Sequence, residues 1–312
     1  MELLTQNIAE LAIALKQQYN NIKPTEVMNQ WFEITQEHPT SSIAEFEVTS
    51  DLQSGAFGKV KLAKRYETLY ALKIVDINAT HAHNETHAHN EKMINQLIKN
   101  QPFLTSPLYL FETCKHLYIV MKFYSSGDLF EKKVVDNLYS LERSIFYISQ
   151  LILALEALHS LGIIYRDLKL ENIMVEDDGY LTLVDFGGSI RTNKRGKAKG
   201  YFGTVPYIAP EVSSETEYTC AVDFWSAGIL FSELLLDGGV FEKNADSPTS
   251  LIKKVQRTTR NQPNAVDFVS RLLTTNPKER LGYRGAKQVK KHDLFKNIDW
   301  NMLINHVYKV PE

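Results

Sequence analysis

Asp167, Lys169 and Asn172 fall at fixed offsets in one short polar stretch, Tyr165-Arg166-Asp167-Leu168-Lys169-Leu170-Glu171-Asn172. Apolar runs frame it, Leu151 to Leu161 before and Leu181 to Val184 after. Thirteen residues past Asn172, behind a short predicted strand, comes a second acid in Asp185-Phe186-Gly187. Two acids and an Asn converging on one point suggest metal-assisted phosphoryl transfer. The frame is too regular for an ordinary polar turn.

Phosphate chemistry also needs donors and a cation, and the chain offers both upstream. In Leu52-Gln53-Ser54-Gly55-Ala56-Phe57-Gly58-Lys59-Val60-Lys61-Leu62, two glycines sit between strand-like segments and predict a hairpin. Gly55 and Gly58 allow backbone N–H groups to come close to a phosphate. Alone this signal is weak, because such hairpins are common. Leu69-Tyr70-Ala71-Leu72-Lys73-Ile74-Val75 follows, an apolar strand with one Lys. A buried ammonium is costly unless paired. Glu91, just before Met93, Ile94 and Leu97 turn a helix inward, is its natural partner.

The elements that must position these residues follow from periodicity. Leu4, Ile8, Leu11 and Leu15 mark an amphipathic helix over 1–20, and a second is expected over 25–36, with Val27, Met28, Trp31 and Phe32 inward. Strands are expected from Phe46 to Met121. Lys122 to Gly127 reads as a hinge. Helices are then expected over about 128–135, 141–161, 220–237, 249–259, 264–274 and 286–292. A perfect six-residue repeat, Thr80-His81-Ala82-His83-Asn84-Glu85 and Thr86-His87-Ala88-His89-Asn90-Glu91, places His83 and His87 four apart. A metal could bridge that pair, but a duplication lengthening a solvated helix end is the preferred reading.

The 312 residues are 44% apolar, enough for a large core in one domain or two lobes. A net charge of −2 gives no reason to expect nucleic acid or an anionic membrane. Two distant cysteines, Cys114 and Cys220, argue against a disulfide framework. The acidic opening Met1-Glu2 predicts neither a signal peptide nor myristoylation, and no apolar run reaches membrane-spanning length. A soluble cytoplasmic protein is expected, with the nucleus as an alternative and no membrane anchor.

Taken in order, the motifs resemble the eukaryotic protein kinase family. They are Ser54-Gly55-Ala56-Phe57-Gly58-Lys59-Val60, Ala71-Leu72-Lys73, Glu91, Tyr165 to Asn172, Asp185-Phe186-Gly187, Gly203 to Glu211, Asp223-Phe224-Trp225-Ser226-Ala227-Gly228, and Arg280. The resemblance runs from about Phe46 to Leu303 and implies an α+β bilobal protein kinase fold. Its small antiparallel-sheet lobe with one main helix would span 46–122, and its larger, mainly helical lobe 123–300. A helical N-terminal extension (1–45) and a short C-terminal remnant (301–312) would complete the chain.

The resemblance implies ATP and Mg2+ as cofactors. Asp167 would orient the substrate hydroxyl, Lys169 would sit by the γ-phosphate, and Asn172 and Asp185 would hold the metal. Lys73, held by Glu91, would bind the α- and β-phosphates under the loop of Gly55 and Gly58. Leu52, Val60, Ala71, Met121, Lys122, Tyr124 and Asp128 would line the nucleotide. Glu211 with Arg280 would form a buried structural pair. Thr204 would lie in the peptide-binding segment.

Tyr165 before Arg166-Asp167, and the ending Phe295 to Leu303, resemble the AGC kinases. The overall spacing is most similar to the cyclic-AMP-dependent protein kinases, with the cyclic-GMP-dependent kinases close behind. Asp128, Glu171 and Glu233 fall where that subfamily reads basic residues of protein substrates. Carboxylates pair well with Arg. A pseudokinase scaffold is the minority alternative, because Lys73, Asp167, Asn172 and Asp185 are all intact.

Four departures stand out. Gln53 replaces the first glycine of the phosphate loop, and Gly188 replaces a bulky residue after Asp185-Phe186-Gly187, which is expected to loosen the strand there. Gly200 stands where the family places a phosphorylatable Thr, leaving Thr192 and Tyr201 as acceptors in 192–202. Arg166 and His87 resemble residues that grip such a phosphate, and Lys194, Arg195, Lys197 and Lys199 lie near them without an evident anion. An acidic partner segment or an anion is therefore expected to order this loop, and a regulatory subunit is a further possible partner. Finally, the sequence to Glu312 does not reach the C-terminal tail that the AGC resemblance implies, and residues 1–45 are expected to dock on the small lobe and supply part of that support.

Overall fold

The computed structural model describes residues 42–55, 58–77, 84–136, 139–214, 216–236, 247–259 and 262–311. The expected helices over 1–20 and 25–36 and their docking lie outside the described residues, as do residues 80–83 of the His repeat and the side chains of residues 84–87.

Alternating apolar residues build a five-stranded antiparallel sheet from β1 (Glu47–Gly55), β2 (Gly58–Arg65), β3 (Thr68–Asp76), β4 (Tyr109–Glu112) and β5 (His116–Lys122), in the order β1-β2-β3-β5-β4. Register assigns the faces. Val60 lies opposite Lys73 and Leu62 opposite Ala71, so these four share one side. Ala63 and Leu72 take the other, where they form a core with Phe46 and Val120, ringed by Tyr70, Tyr109, Phe111 and Tyr118. The β1–β2 hairpin narrows to the pair Gly55–Gly58. Gly58 has φ 147, and a Cβ there would come within 2.5 Å of the Ile74 carbonyl oxygen. Close approach of β3 therefore demands this glycine before any phosphate does.

The other elements are helical or short strands. Helix α1 (Asn84–Leu97) lies between β3 and β4 in the chain. After β5 come α2 (Leu129–Asp136), α3 (Leu141–Ser160), β6 (Ile163–Ile164), β7 (Ile173–Val175), β8 (Leu181–Leu183), β9 (Ile190–Arg191), α4 (Pro210–Ser213) and α5 (Ala221–Leu235). The last are α6 (Pro248–Thr258), α7 (Pro263–Leu272), α8 (Ala286–Val289) and α9 (Trp300–Ile304). Every residue of α5 is buried, as is most of α3 beyond its first turn, so this pair forms the centre of the helical core. Two small antiparallel ribbons, β6–β9 and β7–β8, flank the polar stretch at 165–172.

The chain divides into two compact units, one holding the sheet and the other holding α1 and everything described from Lys122 onward. The division falls between Met121 and Lys122, at the expected hinge. Helix α1 groups with the second unit, and the Asn90 amide donates to the Ser189 carbonyl there at 2.7 Å. This is the α+β bilobal kinase architecture. Among the described residues no helix is long and apolar enough to cross a membrane.

Candidate active site

The loop at 165–172 is shaped by one buried acid. Asp223, in the first turn of α5, is fully buried. Its Oδ2 accepts the Tyr165 N–H at 2.9 Å and its Oδ1 the Arg166 N–H at 2.9 Å. These bonds hold Arg166 at φ 71, a conformation unfavourable for a side chain of that size. His159, near the end of α3, also binds Asp223 Oδ2, at 2.7 Å. Burial pulls the imidazole pKa down, but the hydrogen bond to Asp223, aided by Cys220, outweighs it and raises the pKa to about 9.

His159 therefore carries its proton at neutral pH. An unfolded imidazole titrates near 6.5, so the raised folded pKa contributes stability fully below pH 6.5, and this is lost as pH rises through about 9. The expected loss over that window is about 3 kcal/mol. Chemical unfolding at steps from pH 6 to 10 measures it. The His159→Gln variant should lack this limb; an unaltered pH slope in the variant contradicts the assignment.

Around this frame the polar residues converge. Thr204 donates from Oγ1 to Asp167 Oδ1 at 2.7 Å and accepts from Lys169 Nζ at 2.9 Å. Lys169 Nζ also lies 3.0 Å from Asp167 Oδ2. Asn172 Nδ2 donates to the Asp167 carbonyl at 2.8 Å and to Oδ2 at 3.0 Å. The Asn172 carbonyl accepts the Val184 N–H at 3.0 Å, tying this loop to the segment that carries Asp185. Asp185 has φ 57, and its Oδ1 accepts the Gly187 N–H at 3.0 Å. Tyr165 donates to the Val184 carbonyl at 2.5 Å and packs edge-on against Phe186, with ring centroids 5.8 Å apart. Burial, with the charges of Asp185 and Asp167, pushes the Tyr165 phenol well up, so it stays a neutral donor. The oxygens of Asn172 and Asp185 are hard donors of the kind Mg2+ takes, so this donor set fits the implied metal.

The three expected substrate-reading acids share one neighbourhood. Asp128 is raised by burial, against a hydrogen bond from the Glu131 N–H, with Glu131 and Glu171 raising it further. That bond, at 2.8 Å, makes Asp128 the cap of α2, a role the sequence reading did not assign. Glu233 is raised by burial, lowered by the Tyr207 hydroxyl that donates to it and by Lys133, and raised by Glu171. Glu171 Oε2 is buried without a hydrogen-bond partner among the described residues. Such an acceptor in an acidic surrounding suits an incoming cation.

The other expected nucleotide-lining residues occupy the two units separately. Leu52 is exposed on β1, Val60 and Ala71 share the face that carries Lys73, and Met121 is buried on β5. Lys73 and Glu91 are each buried, at 4% and 3% exposure. Lys122 donates to Glu176 at 2.6 Å and lies over the Tyr124 ring. Burial raises the Tyr124 phenol, which donates to Thr105 Oγ1 at 3.4 Å. In the basic loop, Lys197 pairs with Glu217 at 3.0 Å, so one of its four cations has an anion within the chain.

A domain built on these elements is of the protein kinase class. The protein kinase domain model matches residues 46–295, and the chain belongs to that family. It is 34% identical over 285 residues to ribosomal protein S6 kinase alpha-3 of Mus musculus, an alignment covering 88% of this chain and 38% of the relative. It is 35% identical over 280 residues to protein kinase C of Drosophila melanogaster, covering 86% and 38%, and 32% identical over 286 residues to putative ribosomal protein S6 kinase alpha-2 of Caenorhabditis elegans, covering 86% and 37%. The S6 kinase relatives support the AGC group, not a likeness to cyclic-AMP-dependent kinase in particular. The chain spans under two fifths of the length of these curated relatives.

Proposed function

We propose that this chain is an ATP- and Mg2+-dependent serine/threonine protein kinase of the AGC group, acting on substrates with basic residues upstream of the target. The observation that carries the reading is the hydrogen-bonded set Asp167–Thr204–Lys169–Asn172, with Asp185 tied in through Val184. Asp167 orients the substrate hydroxyl and accepts its proton late. Lys169 balances the charge that develops on the transferring phosphate. Asn172 and Asp185 would hold the metal, whose contribution is to neutralise charge on the phosphate oxygens. By the family resemblance, Lys73 and the loop of Gly55 and Gly58 would bind the phosphates, Leu52, Val60, Ala71 and Met121 would line the adenine, and Glu91, Lys122, Tyr124 and Asp128 are further candidates for nucleotide binding.

Selectivity for basic peptides rests on Glu171, Glu233 and Asp128. A peptide-library phosphorylation profile tests it. Arg upstream of the acceptor should dominate, and Glu171→Gln should lower kcat/KM for the Arg peptide by about 30-fold or more, the lower end for breaking a buried charge pair. A profile indifferent to Arg, or a Glu171→Gln enzyme equal to wild type, contradicts it. Within the AGC group, the Asn90-Glu91-Lys92 string and the overall motif spacing support a cyclic-AMP-dependent-kinase-like signalling enzyme. The two cysteines, Cys114 and Cys220, lie far apart in the sequence, which fits a cytoplasmic setting.

A further inference from the structure

Arg166 sits beside the loop in which Gly200 takes the usual phosphothreonine position, yet its guanidinium is occupied. Nε donates to the Gly188 carbonyl at 2.6 Å and Nη1 to the Tyr218 hydroxyl at 3.0 Å. The Phe202 ring lies 5.0 Å from the guanidinium carbon. Tyr218 is itself fixed, because its hydroxyl donates to the Gly200 carbonyl at 2.7 Å and its backbone forms a two-bond bridge with Ala198 at 2.9 Å each way. Gly188 supplies the remaining space. A Cβ there would lie 2.9 Å from Phe202 Cδ1 and Cζ and closer still to Cε1, so no larger residue fits with the ring in place. The absence of a bulky residue after Asp185-Phe186-Gly187 is thus not a loosening; it is the slot for Phe202.

We infer that Phe202 and Tyr218 are positioning residues that hold Arg166, and through it Asp167, without a loop phosphate. Both ends of the activation segment close on one side chain: Gly188 follows Asp185-Phe186-Gly187, and Phe202 precedes Gly203 and Thr204. A cation–π contact and two hydrogen bonds to neutral acceptors replace the ion-paired bonds a phosphate would give. A Cβ at Gly203 would lie 2.8 Å from the Arg166 carbonyl, so the segment's last residues are seated directly on the loop they position. The inference rests on the kinase reading above, but its structural half is measurable without activity.

The test uses the full chain made with a co-expressed phosphatase and shown phosphate-free by intact mass. Hydrogen exchange over 198–203 should be slow in this protein and about tenfold or more faster in Phe202→Ala and Tyr218→Phe. Gly188→Ala should speed exchange in wild type but add nothing to Phe202→Ala, since the smaller side chain removes the clash. In peptide phosphorylation, both variants should lower kcat about tenfold with KM for ATP unchanged, and Phe202→Tyr should restore it. Fast exchange in the phosphate-free wild type overturns the inference. So does a large gain in protection or activity on phosphorylation, or on adding polyglutamate as an acidic partner. Full protection with no phosphotransfer under any condition upholds the lock and instead defeats the kinase reading.

Discussion

Asp167→Asn should lower kcat for peptide phosphorylation by about 10²–10⁴-fold, the usual contribution of a positioned proton acceptor. The wild-type carboxylate takes three donors: Thr204 Oγ1 on Oδ1, and Lys169 Nζ and Asn172 Nδ2 on Oδ2. An asparagine keeps the shape but offers one acceptor oxygen and turns an NH2 group toward the remaining donors. It also cannot accept the hydroxyl proton. KM for ATP should stay near wild type, because the nucleotide contacts assigned above do not involve Asp167. A melting temperature close to wild type would show the loss to be chemical. A variant keeping more than a tenth of wild-type kcat would remove Asp167 from its role.

The largest stability effect is expected at Arg280. Its side chain has 0% exposure and pairs bidentately with Glu211, Nη1 to Oε1 at 2.6 Å and Nη2 to Oε2 at 2.9 Å. Nη1 also donates to the Ala221 carbonyl at 3.0 Å, Nε to the Thr274 carbonyl at 3.0 Å, and the guanidinium lies over Trp225. Arg280→Ala leaves the Glu211 carboxylate, 9% exposed, without its partner, and the Ala221 and Thr274 carbonyls each short of a donor. Destabilisation of about 3–5 kcal/mol follows, or roughly 10 °C in melting temperature for a chain of this size. Glu211→Gln removes the charge alone, and its cost should be smaller. Urea unfolding of both variants measures it. A loss below about 1 kcal/mol in Arg280→Ala would mean that the pair contributes little beyond filling space.

The parts of the candidate site legible in the sequence are those whose geometry is set close along the chain. Asp167, Lys169 and Asn172 bond to one another within a single loop, so their spacing carried the information. The strand and helix spans followed from periodicity, to within a few residues where an end is set by local capping: 141–161 was expected where α3 spans Leu141–Ser160. What escaped depends on contacts between distant segments. Asp223 shapes the loop from 57 and 58 positions away, and an acid inside an apolar helix was the signal available for it. Tyr207 donates to Glu233 across 26 residues. Asp128 was read as a nucleotide-lining and substrate-reading acid, although an Asp three residues before Glu131 at a helix start is also a capping pattern. Gly188 looked like a weakness because its reason, the Phe202 ring, arrives from the far end of the activation segment.

The central claim is phosphoryl transfer from ATP through Asp167, and single-turnover kinetics with γ-labelled Mg-ATP and an Arg-bearing serine peptide test it most directly. The purified wild-type chain should move label to the serine hydroxyl, and Asp167→Asn should slow that step by at least a hundredfold while still binding nucleotide. A folded wild-type chain that binds Mg-ATP but transfers no label, or label transfer at equal rates in both proteins, would contradict it.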